Sequence, residues 1–329
     1  MTPFALLTAR SLEEASAHLA AHAGAALLAG GTTLLDLMKL GVATPRVVID
    51  ISRIGHDGID RTEDGWRIGA LGRNDDVVRH PEIAVRLPLL TQAINLGASG
   101  QLRNMATVGG NLLQRTRCPY FRDIHSACNK REPGRGCDAL DGANRGCAVL
   151  GTSAHCIAAH PGDMAVAVAA LGARVRLHGA AGGRTVAFTD FNLEPGGTPD
   201  RETCMTPGEV ILSLDVPDLP FGRRSTYRKV RDRASYEFAL FSCALALDLD
   251  EGGTIRDARL ALGGVGTKPW RAWEAEAALR GQQANAAAFE RAADATLHGA
   301  VPRSQNGFKI DLARRVLVQM LAELTEMPA

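Results

Sequence analysis

Hydrophobic and polar positions change their period along the chain, and each change predicts an element. Ser11-Leu-Glu-Glu14 has the form of a capping box, opening a helix with Leu12, Ala15, Leu19 and Ala23 on one face. The apolar run 25–29 predicts a short buried strand that stops at Gly30-Gly-Thr-Thr33, after which 34–40 resumes a helical period. Segments 46–51 and 66–71 read as strands, and 75–80 and 82–97 as helices, the second with Leu87, Leu89, Leu90 and Ile94 as its apolar stripe. A helix over 162–171 is followed by strands at 173–177 and 209–216, the last closed by Pro217. Two more strands, 238–248 and 254–262, flank the hairpin signal Asp250-Glu-Gly-Gly253. Helices then fill 270–280, 285–297 and 308–326. The last carries Leu312, Val316, Leu317, Met320, Leu321 and Leu324 at core spacing. Between 98 and 161 the pattern lapses, apart from 105–113. A stretch that long is functional, or is held by something other than a core.

Length and charge sharpen this only a little. The 329 residues suit two or three domains, and a composition shift at 217–224 marks a boundary. A hydrophobic fraction of 46% with 22% charged residues is that of an ordinary globular chain. A formal charge of +1 removes the usual case for nucleic acid or an anionic membrane as partner. The longest apolar run, 165–171, is too short for a bilayer. The first residues lack the pattern of a signal peptide, so a soluble chain with no export signal of its own is expected.

Cysteine changes the picture more. Of Cys118, Cys128, Cys137, Cys147, Cys156, Cys204 and Cys243, the first five follow each other at nine- or ten-residue steps in the aperiodic window. A disulfide framework belongs to small secreted domains, and the odd total argues against it. Zinc sites pair ligands at closer spacing. A long loop wrapped around an iron–sulfur cluster with four thiolates fits better than free thiols in a loose loop. The window from 101 to 145 holds eight basic and four acidic residues, a balance that offsets an anionic cluster. Cys243 reads as a core thiol, and Cys204 has no evident role.

Three further motifs suggest a second ligand. Leu27-Leu-Ala-Gly-Gly-Thr-Thr-Leu34 is a strand, two glycines, hydroxyls and a helix start, which clusters amide N–H groups as a pyrophosphate requires. It is neither a Rossmann fingerprint nor a P-loop, and an ordinary tight turn would read the same. Asn104-Met-Ala-Thr-Val-Gly-Gly-Asn111 repeats the theme, and two such nests suit a dinucleotide. Asp163 follows His160-Pro-Gly at a helix start, where it is a cap or an acceptor for sugar hydroxyls. No hydrolytic arrangement is visible.

With these motifs in hand, the chain resembles the FAD-binding middle subunits of the molybdenum hydroxylases, the xanthine dehydrogenase and aldehyde oxidoreductase family. The glycine segments and Pro161-Gly-Asp-Met-Ala-Val166 carry the likeness. Arg115-Thr-Arg-Cys-Pro-Tyr-Phe-Arg122, Cys128-Asn-Lys-Arg131 and Cys156-Ile-Ala-Ala-His-Pro161 resemble the branch with an extra [4Fe–4S] cluster, typified by three-subunit periplasmic aldehyde oxidoreductases. The resemblance implies an α+β fold. An FAD-binding domain of the PCMH or vanillyl-alcohol-oxidase type would span 1–218, in two α/β subdomains (about 1–53 and 54–218) with a cluster loop at about 114–160. A C-terminal α+β domain like that of the carbon monoxide dehydrogenase flavoprotein would span 219–329. FAD would lie on Leu28, Ala29, Gly30, Gly31, Thr32, Thr33, Leu34, Thr107, Gly110 and Asn111, with Asp163 and Lys229 completing its site. Cys118, Cys128, Cys137 and Cys156 would hold the cluster, while Cys147 stands where the pattern has histidine.

The implied role is a relay. A large molybdopterin subunit oxidises an aldehyde, a small subunit with two [2Fe–2S] clusters forwards the electrons, and this subunit delivers them through FAD to an external acceptor. Export with a partner to the periplasm, or a cytoplasmic location, both agree with the missing signal. Two other readings compete: a self-contained flavin oxidase, which needs acid or base residues of its own, and a zinc-stabilised scaffold without flavin, which would be colourless.

Overall fold

The computed structural model describes residues 1–179 and 182–327. Strands Ala5–Thr8 (β1), Ala26–Leu28 (β2) and Val47–Asp50 (β3) form a parallel sheet in the order β1-β3-β2. Ile59–Arg61 (β4), Gly65–Gly69 (β5), Arg174–Gly179 (β6), Gly182–Ala187 (β7) and Val210–Pro217 (β8) form an antiparallel sheet in the order β4-β5-β8-β6-β7. The third sheet, also antiparallel, is built from Ser225–Val230 (β9), Phe241–Leu249 (β10), Ile255–Gly263 (β11) and Trp270–Arg271 (β12), in chain order.

One helix ties the last two sheets together. Asp163–Leu171 is apolar all round after its first residue, and all nine of its residues are buried. A helix of that composition has no solvent face to offer and must sit inside. It lies against one face of the third sheet, and side-chain size on β10 and β11 follows from that. Ala244, Ala246 and Ala261 point to the helix, while Phe241, Cys243, Leu245, Leu247, Leu260 and Leu262 point away, into a core capped by the C-terminal helices. Alternate side chains of a strand face opposite sides, so one apolar run serves two cores. Gly263 marks the closest crossing, because a Cβ there would stand 2.5 Å from the Val166 side chain.

The pattern-based elements differ from the fold in one instructive place. The expected helix 82–97 is two helices, Pro81–Arg86 and Pro88–Gly97, broken at Leu87. A residue that precedes proline is driven out of the α region, and Leu87 has φ −132° and ψ 56°. Strands β1, β4, β7 and β9 are short or polar and carry little periodicity. The capping box is half formed: the Glu14 N–H donates to Ser11 Oγ, but the Glu14 carboxylate takes the N–H of Arg10.

The aperiodic region folds as a loop within the N-terminal part of the chain. It holds short helices at Gly100–Arg103, Val108–Leu112 and Pro119–Arg122 and few ladder bonds. Its end enters the C-terminal domain, where the Val149 and Leu150 N–H groups both donate to the Val265 carbonyl.

Candidate functional site

The two glycine segments meet. A Cβ on Gly30 would lie 1.8 Å from the Met105 carbonyl oxygen, so glycine is required there by a backbone contact between the segments. Gly31 has φ +72°, a left-handed position that glycine fills without strain. The amides of Gly30, Gly31, Thr32 and Thr33 have no acceptor among the described residues. Gly30, Gly31 and Thr32 line a cavity of about 340 Å³ together with Leu35, Asp36, Lys39 and Met105. Of the sequence-expected residues, Leu28, Ala29, Thr33 and Leu34 do not line it, and its charged residues are one anion and one cation.

The second segment works differently from its expectation. Its amides are spent inside the fold: Val108 N–H on Gly72 O (2.9 Å), Gly109 N–H on Ala70 O (2.8 Å) and Gly110 N–H on Thr107 Oγ1 (3.2 Å). Thr107 caps the short helix, and the segment packs on the end of β5, so it offers a close surface rather than a second set of donors. Gly110 faces open space apart from Thr107 Oγ1, and Asn111 Oδ1 accepts from Gln114.

Asp163 and Lys229 come together as expected, but as a buried pair. Lys229 Nζ lies 2.8 Å from Asp163 Oδ2 and donates also to Leu96 O (3.0 Å), and Tyr227 Oη donates to Asp163 Oδ1 (2.6 Å). The helix is capped by Gly162, and Asp163 is its first residue. Burial pushes the Asp163 carboxyl up, and Lys229 opposes that.

The five cysteines of the window converge. Cys118 and Cys128 share one apolar cluster, while Cys118, Cys137 and Cys147 meet in another with Ala139 and Ile157. Cys128 and Cys137 face each other across an isolated antiparallel bridge. All are free thiols, and their electrostatics separate one from the rest. The neighbouring Cys147 thiol and the backbone at Phe121 and Tyr120 draw the Cys118 pKa down to about 7 against burial. The Cys147 thiol is pushed up, by the neighbouring Cys118 and by burial. The Ala158 N–H donates to Cys156 Sγ at 3.5 Å, and the backbone at Arg131 and Lys130 favours the Cys128 thiolate, that at Ala139 and Ile157 the Cys137 thiolate. Burial outweighs them, raising all three thiols, Cys156 to about 11. No amide figures among the main influences on Cys147.

Long-range bonds shape this loop. The Arg131 guanidinium donates to the carbonyls of Tyr120 (2.8 Å), Phe121 (2.9 Å) and Asp123 (2.8 Å). Asn129 joins Gly136 N–H to His155 O, and Gly134 and Gly136 turn the chain at φ +85° and +98°. Arg117 and Arg122, on either side of Cys118, both close on Asp36 of helix Leu34–Lys39, at 3.0 and 2.8 Å. The helix that begins at the first glycine segment is thereby tied to the cysteine pocket.

Sequence reasoning passed over Lys309 and Asn306. Asn306 Nδ2 donates to Ala148 O (3.1 Å), and Lys309 Nζ to the carbonyls of Gly146, Cys147 and Gly264. The signal was there: Lys309, Ala313, Leu317, Met320 and Leu324 are buried at helical spacing, so a lysine occupies the core stripe.

A three-sheet α+β chain with an open amide nest and a cysteine pocket is a cofactor-carrying subunit in form, and comparison with known proteins gives the class. The family model for the FAD-binding domain in molybdopterin dehydrogenase matches residues 2–219, and that for the CO dehydrogenase flavoprotein C-terminal domain matches residues 225–324. The chain belongs to the FAD-binding medium subunits of the molybdenum hydroxylase family, and is thus an oxidoreductase subunit. It is 49% identical over 303 residues to the aldehyde oxidoreductase FAD-binding subunit PaoB of Escherichia coli K12, covering 91% of both chains. It is 31% identical to the glyceraldehyde dehydrogenase medium chain of Sulfolobus acidocaldarius, over 86% of this chain and 83% of that one. A solved carbon monoxide dehydrogenase from Hydrogenophaga pseudoflava superposes with TM-score 0.74 at 29% identity, over 98% of this chain and 96% of its own. None of these descriptions mentions an iron–sulfur cluster.

Proposed function

We propose that this chain is the FAD- and [4Fe–4S]-carrying electron-transfer subunit of a molybdenum-dependent aldehyde oxidoreductase. Its partners in this reading are a large molybdopterin subunit and a small [2Fe–2S] subunit, and an external acceptor takes the electrons. The observation that carries the cluster is the pocket itself. Four thiols, Cys118, Cys128, Cys137 and Cys156, gather in one pocket where the local backbone favours each thiolate, with Ala158 N–H on Cys156 Sγ, and N–H···S bonds stabilise ligating thiolates and tune a cluster. A cubane places each thiolate on its own iron, farther apart than the ligands of one ion.

For FAD, Leu28 to Leu34 supply the wall and the free amides for the pyrophosphate, and Lys39 adds charge. In this reading Thr107, Gly110 and Asn111 would supply a further surface, and the buried Asp163–Lys229 pair, with its cation fixed by Leu96 O, would support the site from behind. Flavin and cluster, when bound, supply the electron chemistry. The protein contributes position and electrostatics, and Asp36 holds the two sites together through Arg117 and Arg122. The 49% identity to an aldehyde oxidoreductase subunit supports the substrate class.

Purified anaerobically with its partners, the complex should contain, in this chain, one FAD and about four irons. The measurement is flavin and iron content of the chain isolated from the complex, with its visible spectrum. Flavin without iron would remove the cluster and leave the FAD subunit, and a colourless chain would remove both.

A further inference from the structure

Lys309 is fully buried, yet no carboxylate is among the influences on its ammonium. Its three acceptors are carbonyl oxygens, at 3.0 Å (Gly146), 3.0 Å (Cys147) and 2.8 Å (Gly264). Carbonyl dipoles solvate a cation without cancelling its charge, and an isolated buried charge is costly. Arg145, which is paired with Asp232, repels it. Lys309 lies in the first turn of helix Phe308–Thr325, where the helix itself adds positive potential; the acidic residue of that turn, Asp311, is exposed. The site therefore holds a buried ammonium with only carbonyl acceptors, in contact with the backbone of Cys147. Burial lowers Lys309 to about 8, and the neighbouring Cys147 opposes that.

We propose that Lys309 is a positioning residue of the iron–sulfur site. Its ammonium is the fixed counter-charge that raises the reduction potential of the group held by Cys118, Cys128, Cys137 and Cys156. This rests on the cluster reading above. A cluster on four thiolates is anionic, and gaining one electron makes it more so, so a nearby cation stabilises the reduced form more than the oxidised form. No bond forms or breaks at Lys309, and its proton stays on Nζ. The same side chain clamps Gly146 and Cys147, so structure and charge must be separated by experiment.

The test is a redox titration of the whole complex with dithionite as reductant, followed by low-temperature EPR, on the wild type, Lys309→Gln and Lys309→Arg. Iron is assayed on each. The Gln variant keeps hydrogen-bond donors and loses the charge; the Arg variant keeps the charge. With iron retained, the midpoint of Lys309→Gln should move to more negative potential while Lys309→Arg stays near the wild type. If Lys309→Gln holds no iron and Lys309→Arg holds it at the native potential, the charge is needed for assembly and the proposal stands. An unchanged midpoint in an iron-loaded Lys309→Gln overturns it, as does equal loss of iron from both variants. A wild-type chain without iron would show instead that the cluster reading itself has failed, and the proposal with it.

Discussion

At the scale of single residues, the cysteine window shows what spacing can and cannot say. Five cysteines at even steps in an aperiodic loop read as a candidate cluster site, and the fold brings them into one pocket. Which one is surplus depends on amide directions and on the C-terminal domain, and neither is written in the window. Cys147 lies in the pocket with its neighbours, but the local backbone favours the thiolates of the other four and is not among the main influences on Cys147. The expectation is that Cys147→Ser keeps about four irons per chain, whereas Cys128→Ser loses the cluster or leaves three irons. Iron assay with EPR checks this, and the reverse pattern would reassign the ligands. His160 gives a second residue-level prediction. Its Nδ1 accepts from Gly162 N–H at 3.2 Å, its Nε2 is buried without a partner, and burial depresses its pKa to about 4. In the unfolded chain it titrates near 6.5, so the native state binds its proton less readily. The stability this gives is complete above about pH 6.5 and is lost as pH falls through 4, by about 3 kcal/mol. Urea unfolding at pH 7 and pH 4.5 should show a smaller loss in His160→Gln than in the wild type. An equal loss means another group is responsible.

Among the elements, the two glycine segments look alike in sequence and behave differently in the fold. The first leaves its amides free; the second consumes them against β5 and Thr107. Gly30→Val is therefore a poor probe of a ligand, since the new side chain would strike Met105 O and disturb the fold. Gly110→Val is a better one, because Gly110 meets only Thr107 Oγ1 at 3.1 Å. It should change stability by no more than about 1 kcal/mol while FAD affinity falls about tenfold or more. Thermal unfolding and flavin titration read the two separately; native affinity would place FAD elsewhere. Long periodic elements such as Ala286–Leu297 and Phe308–Thr325 were legible because one face packs and the other does not. The break at Leu87 was legible in principle from Pro88. Strands β4 and β7 were not, because little of their surface is buried and pairing alone defines them.

For the molecule as a whole, the two-domain pattern at 217–224 coexists with a shared interior. Helix Asp163–Leu171 fills one side of a sheet that begins beyond that point, and Asp163 itself is paired with Lys229 and accepts a hydrogen bond from Tyr227, both of β9. No sequence period records such a contact, since each partner reads as ordinary core. The family relationship gives the prediction at this scale. Loaded with FAD and iron but separated from other subunits, the chain should oxidise no aldehyde, and turnover by the pure chain would make it an oxidase in its own right. The junction of Val149 and Leu150 with Val265 has a consequence for how the protein is made. Cys118 leaves the ribosome long before the residues that anchor the far end of its loop. The contacts that fix Gly146 to Leu150 cannot form until Val265, Asn306 and Lys309 have been made, so the far wall of the pocket is completed only with the last sheet and helix. If the pocket holds a cluster, as proposed, its loading would wait for a finished chain.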